Sequence, residues 1–227
     1  MQVNQPKEGG AELNPAGTPK PEIRERPILF NGEMVRAILE GRKTVTRRVV
    51  KPQPDFQGSM VDPNTPFVTL GAGLHARIGC PYGDPGDRLW VREAWAADAQ
   101  VDAIAPRDLS RGEPLLYPAD GAVRQAGCSM IAPGKGRPSI HMPRWASRIQ
   151  LEITGVRVER LQAITEAQAE AEGVRACEHE LDPDGNGYTA TELFSILWSS
   201  INGVDSYNAN PWVWVVEFKR VEVDDAR

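Results

Sequence analysis

The sequence predicts an α+β fold in which short strands close into a small barrel flanked by helices, interrupted by one long loop-rich insertion. Three observations predict it. Ile149, Leu151 and Ile153 alternate with Gln150, Glu152 and Thr154, and Trp212 to Phe218 is a nearly unbroken apolar run, so the C-terminal half holds two strands. Stretches of helical spacing fall between strand-like runs instead of in one block. The connections between these elements are long, which suits segregated helices and a closed sheet better than regular βαβ units.

Residues 1–26 are rich in Pro, Gly and Glu without periodicity and read as a flexible tail. Order begins at Pro27-Ile28-Leu29-Phe30, an apolar run suited to a buried strand. Met34, Val35, Ile38 and Leu39 then carry helical spacing, and Gly41 stands where a helix end takes a left-handed residue. Residues 51–88 read as loop, closing on the turn signal Pro85-Gly86-Asp87 before a strand at Leu89-Trp90-Val91. Residues 96–140 have little periodicity and form the insertion. After the strand ending near Val158, Thr165 and Gln168 make a capping box, with Ile164, Ala167, Ala171 and Val174 as the apolar stripe and Gly173 as terminator. Thr191 to Ile201 reads as another helix, and Trp212–Phe218 as the closing strand. The ordered part is thus one domain, 27–221, with residues 222–227 as a second tail. Trp90, Trp212 and Trp214 sit in strand patterns and are expected in the core.

With 227 residues, 41% of them hydrophobic, the chain has material for a packed core. Three widely spaced cysteines make no disulfide framework and fit a reducing, cytoplasmic compartment. No apolar stretch is long enough for export or membrane spanning. The net charge of −5 argues against a general nucleic-acid coat, but its distribution is uneven. Residues 33–51 hold six cations against two anions, and 121–151 hold five cations and no Asp or Glu, leaving the rest at −14. An acidic body with two basic segments is consistent with a focused anion site, and equally with two solvated clusters on different faces.

The run Ile38-Leu39-Glu40-Gly41-Arg42-Lys43-Thr44-Val45-Thr46-Arg47 resembles the signature of the ASCH family, small β-barrel domains of the PUA-like class. Gly86-Asp87-Arg88-Leu89-Trp90-Val91, Thr165 to Glu172, and Trp214 to Lys219 resemble three further family segments, in the family's order. The length and the insertion are similar to the longer ASCH proteins of tailed bacteriophages and prophages. The resemblance implies a PUA-like barrel whose ligand is RNA or a modified pyrimidine nucleoside, with no cofactor and no metal.

One branch of that family resembles N4-acetylcytidine amidohydrolases, and the resemblance implies Lys43 as general base, Thr46 as nucleophile and Glu172 as proton donor. The chemistry is coherent: a Thr hydroxyl needs an adjacent base, and neighbouring arginines at 42, 47 and 48 would push the Lys43 pKa down. Periodicity alone does not single out Glu172, which lies off the apolar stripe with Glu166 and Glu170. Other branches bind or cleave RNA, so a binding module in which Lys43 and Arg47 contact phosphate, and a ribonuclease, remain open readings. A basic cleft is expected from Arg42, Arg47, Arg48, Arg92 or Glu93, and the segment His141 to Arg148. There Arg144, Trp145 and Arg148 supply a stacking surface between phosphate partners; Trp145 could equally cover the barrel end.

Three weaker patterns carry less. Asp182-Pro183-Asp184-Gly185-Asn186-Gly187 copies the first half of an EF-hand loop, but the twelfth position is Leu193, so a surface turn is the better reading. Cys80, Cys128, Cys177, His75, His141 and His179 show no spacing typical of zinc. Gly134-Lys135-Gly136 lacks the leading glycine of a phosphate loop and reads as a basic turn.

Overall fold

The computed structural model describes residues 22–54, 66–71, 74–125 and 127–221. Both predicted tails lie outside these residues except for 22–26, of which Glu25 and Arg26 already belong to the first strand. The elements run β1 (Glu25–Leu29), α1 (Gly32–Leu39), β2 (Val45–Val49), β3 (Phe67–Gly71), β4 (Leu74–Arg77), β5 (Arg88–Arg92), β6 (Ala96–Ala97), β7 (Leu115–Tyr117) and β8 (Ala122–Arg124). They continue with β9 (Gln150–Arg160), α2 (Glu166–Ala171), α3 (Glu178–Leu181), α4 (Ala190–Asn202) and β10 (Trp212–Val221).

The fold is α+β, built on a five-stranded sheet in the order β1-β5-β9-β10-β2. β1 runs parallel to β5, and the other neighbours are antiparallel. The predicted barrel does not close. β1 and β2 are the two edges, and among the described residues no ladder joins them. A side chain crosses the gap instead: the Arg48 guanidinium donates to the Leu29 carbonyl at 3.0 Å, occupying an acceptor that a neighbouring strand would use. The sheet does bend, because the β9–β10 register slips between Glu217 and Phe218, a bulge that sharpens the local twist.

α1, α2 and α4 each begin where the sequence supplies a cap, whereas α3 has no side-chain cap. Asn31 Oδ1 accepts the Met34 amide at 2.9 Å, and α1 then buries Met34, Val35, Ala37 and Ile38. The Thr165–Gln168 capping box opens α2 as expected, and a second box, Thr189–Glu192, opens α4. Glu166 ties the two together, since its carboxylate accepts the Ala190 and Thr191 amides at 2.8 and 3.2 Å and so caps a helix it does not belong to. α4 buries Leu193, Phe194, Leu197 and Trp198 against Val213, Trp214 and Val215 of the sheet in the main core.

Two segments read as loop contain strands: β3 and β4 form a hairpin, and β6, β7 and β8 form a separate sheet inside the insertion. The insertion has its own small core, in which Trp95, Ala97, Leu109, Leu115 and Tyr117 meet Met142 and Ala146. Its strands are two or three residues long, too short to show a period.

Candidate functional site

The loop after α1 is built to turn one lysine inward. Gly41 takes φ +75°, after which the Arg42 and Lys43 amides both donate to the Ala37 carbonyl, at 2.8 and 3.0 Å. Thr44 is then held from both sides: its amide donates to Ala171 at 2.9 Å and its carbonyl accepts from Phe218 at 2.8 Å. Gly173, at φ +80°, packs so closely that a Cβ there would lie 3.1 Å from the Cβ atoms of both Ala37 and Lys43. Only glycine suits that position on both counts.

Lys43 is 3% exposed, and its ammonium donates to the Val45 carbonyl, the Glu172 carbonyl and Glu172 Oε2, at 2.9, 2.7 and 2.9 Å. All three of its N–H groups are therefore engaged. Glu172 Oε1 accepts from Arg47 at 3.2 Å, and Arg47 also reaches Glu159 at 3.2 Å and Gln168 at 3.0 Å. Two cations and two carboxylates thus form one network around the end of α2. Burial pushes the Lys43 pKa below its ordinary value; the Glu172 carboxylate opposes this, and Arg48 adds a smaller downward push. Desolvation is the main cause, and of the three arginines expected to act on Lys43, Arg48 makes the minor contribution.

Glu172 lies off the predicted stripe yet is 4% exposed. Glu172 is the C-cap of α2, its amide still on the Gln168 carbonyl at 3.0 Å, and the helix is too short to show a period; Ala169 faces inward, and Ala167, expected in the stripe, is exposed. Thr46 is 1% exposed, and its hydroxyl has no hydrogen-bond partner among the described residues. The structure therefore joins Lys43 to Glu172 without joining Thr46 Oγ1 to either.

The other expected site residues do not make one basic cleft. Arg42 is exposed and paired with Glu40. Arg48 lies half-buried against the Phe30 ring at 5.5 Å. Arg148 is clamped between Glu93 and Asp120 by four hydrogen bonds of 2.8–2.9 Å and stacks 4.1 Å from the Tyr117 ring centroid, fastening the insertion to the sheet. Glu93, 1% exposed, is the buried half of that clamp. Trp145 packs half-buried against the insertion core, with Arg124 5.2 Å from its ring, so it covers an end more than it offers a platform.

An outward-facing aromatic sits elsewhere. In β5 the pattern Arg88-Leu89-Trp90-Val91-Arg92 puts Leu89 and Val91 in the core and the other three on the outer face. Trp90 is therefore only half-buried, contrary to its expected place in the core, with Arg92 and Arg144 at 5.2 and 5.9 Å from its ring. Trp212 is likewise half-buried under Arg160, while Trp214 is a core residue. Arg144 also pairs with Glu25 at 2.9 Å, both side chains remaining accessible. Beside this face lies a groove of about 520 Å³, lined by Arg92, Arg107, His141 and apolar residues including Ile140, with no carboxylate in its wall. The period-two pattern of β5 was the available signal for Trp90; Arg107 had none.

The Asp182 loop is self-contained: its carboxylate accepts from the Asn186 amide, the Asn186 side chain and the Gly187 amide at 2.9, 2.7 and 3.0 Å. The backbone bond from Asn186 chiefly holds that carboxyl below its ordinary pKa. Cys80, Cys128 and Cys177 are free thiols. Among the described residues no helix is long and apolar enough to cross a membrane.

No family model matches the sequence. No curated protein matches it either. Among solved structures the chain is similar to protein EF3133 from Enterococcus faecalis V583, described as DUF984, at 9% identity and a TM-score of 0.34 over 92% of this chain and 86% of that one.

Proposed function

We propose that this chain is an ASCH-type, PUA-like protein of the cytoplasm that binds single-stranded RNA without turning it over. The observation that carries this reading is the outer face of β5, where half-buried Trp90 has the Arg92 and Arg144 guanidinium groups near its ring, beside a groove lined by Arg92, Arg107 and His141 without a carboxylate. Unpaired bases stack on aromatic rings and on arginine planes, while phosphates need accessible cations. Lys43 and Arg47 play a different part in this reading: buried and paired, they hold the fold around α2.

The test is binding of a labelled single-stranded RNA at several salt concentrations. Arg92→Ala and Arg144→Ala are expected to weaken binding and flatten the slope of log affinity against log salt. Trp90→Ala is expected to weaken it by about 1–3 kcal/mol with the slope unchanged. If all three variants melt like the parent and bind like it, the face is in the wrong place.

One observation favours a second reading, amide hydrolysis of an N4-acylcytidine. Lys43, with its lowered pKa, meets Glu172 three residues away from a buried, unpartnered Thr46 hydroxyl. In that reading substrate binding frees Lys43 from Glu172 so that it can deprotonate Thr46. Acetate release from N4-acetylcytidine that is lost in Thr46→Ala supports it, and absence of release on any acylated nucleoside leaves the binding reading.

A further inference from the structure

We propose that a smaller pocket beside the groove is a subsite for the terminal phosphomonoester of the bound strand. The inference rests on the RNA-binding reading and adds which part of the strand is recognised. The pocket, about 310 Å³, is walled by Asp102, Ile104, Lys135, Gly136, Arg137 and His141. It shares Ala105, Pro106 and His141 with the groove, so a chain lying in one leads into the other.

The Gly134-Lys135-Gly136 turn is fixed from behind. Asp102 accepts the Lys135 amide on both carboxylate oxygens, at 2.9 and 3.1 Å, and the Gly134 amide donates to Ala97 at 2.9 Å. A Cβ on Gly134 would lie 2.4 Å from Asp102 Oδ1 and 2.9 Å from the Ala97 carbonyl oxygen, so the close approach requires glycine. Lys135 itself remains exposed. Arg137 is the opposite case: it is 5% exposed, with its terminal nitrogens on the Ile104 and Val101 carbonyls at 2.9 and 3.0 Å, and its Nε has no partner. Its guanidinium lies 5.3 Å from the Trp95 ring centroid. Among the described residues no carboxylate pairs with either cation. With its terminal nitrogens on carbonyls and its Nε buried, Arg137 contributes its uncompensated charge behind the pocket wall, which favours an anion there.

Charge and size choose the anion. A phosphodiester within a strand carries one negative charge, whereas a terminal monoester carries about −1.5 to −2 and three acceptor oxygens. Two cations and a histidine, opposed only by an Asp102 already engaged with the turn, favour the more highly charged group. The volume, about 310 Å³, is ample for a phosphate group at a strand end.

The experiment compares one short single-stranded RNA in three forms: 5′-phosphorylated, 3′-phosphorylated, and hydroxyl at both ends. Each is measured against the parent protein and the Lys135→Ala and Lys135→Glu variants. One phosphorylated form is expected to bind about tenfold more tightly than the hydroxyl form. Both substitutions are expected to abolish that advantage, and Lys135→Ala to leave hydroxyl-ended RNA binding as in the parent. Equal binding of all three forms by the parent, or an advantage that survives both substitutions, overturns the subsite while leaving the groove reading in place. Failure of every form to bind overturns both.

Discussion

Replacing Glu172 by Gln tests whether the buried network around α2 holds the fold. The change keeps size and shape but leaves Lys43 with carbonyl acceptors and Arg47 with Glu159, the more exposed of the two carboxylates, with 23% of its side chain accessible against 6% for Glu172. Breaking a buried ion pair by removing one partner costs about 3–5 kcal/mol, because a desolvated charge is stranded. For a domain of this size that corresponds to a fall in melting temperature of roughly 6–20 °C. The companion double variant, Lys43→Met with Glu172→Leu, removes both charges and fills the space with apolar atoms. It is expected to recover most of the loss, since buried pairs contribute little net stability against apolar residues of similar volume. Thermal melts and urea unfolding of the parent, Lys43→Met, Glu172→Leu and the double variant give the coupling directly, with Glu172→Gln measured beside them. If Glu172→Gln melts within a degree or so of the parent, the pair is not desolvated and the reasoning fails.

Three further predictions follow from the same inventory of contacts. Arg148→Met strands Glu93 and is expected to cost about 3 kcal/mol or more, read as a lower urea midpoint, while a charge-neutral Glu93→Gln/Arg148→Met pair recovers part of it. Burial pushes the Tyr117 hydroxyl up to about 12, against an ordinary value of 10.0. The folded state therefore holds a proton that the unfolded state releases, so stability falls as pH rises from 10.0 towards about 12. Tyr117→Phe is expected to flatten that part of the stability–pH curve, and an unchanged curve would contradict it. Millimolar calcium is expected to leave the melting temperature where it is, because the Asp182 carboxylate already serves its own loop; a rise of several degrees would show a bound ion.

What the sequence disclosed tracks the range of the interactions involved. Caps and turns are local, so Gly41, the Thr165–Gln168 box and the Gly173 stop are legible in a few residues, and so is the alternation that makes β9. Closure of the barrel is not local: it depends on whether β1 meets β2, and in place of that ladder the Arg48 side chain reaches the Leu29 carbonyl across 19 residues of chain. The candidate site divides the same way. Lys43 lies in the family-like run, but its partner lies 129 residues away on a helix too short to show a period, and what makes them a pair is burial. Arg148 and Trp145 show the opposite failure. A basic aromatic segment reads as a ligand surface, yet Arg148 meets Glu93 and Asp120 from distant strands and loops and becomes a clamp. Trp90 differs for a simpler reason: Arg88 and Arg92, two residues to either side, mark the outer face of β5, and phase, not residue type, decides which face an aromatic takes there.

The carboxylate of Glu166 on the first turn of α4 bears on how the protein opens. A helix of six residues has too few internal hydrogen bonds to persist alone. α2 is held at one end by that bond to α4 and at the other by the ions around Glu172. Fluctuations that fray the start of α4 are therefore expected to loosen α2 and admit water to Lys43 in the same event. Amide protons at Ala190 and Thr191, in α4, and at Thr44, in the loop before β2, are expected to exchange as one unit at a shared free energy below that of the β9–β10 ladder, which native-state hydrogen exchange would read.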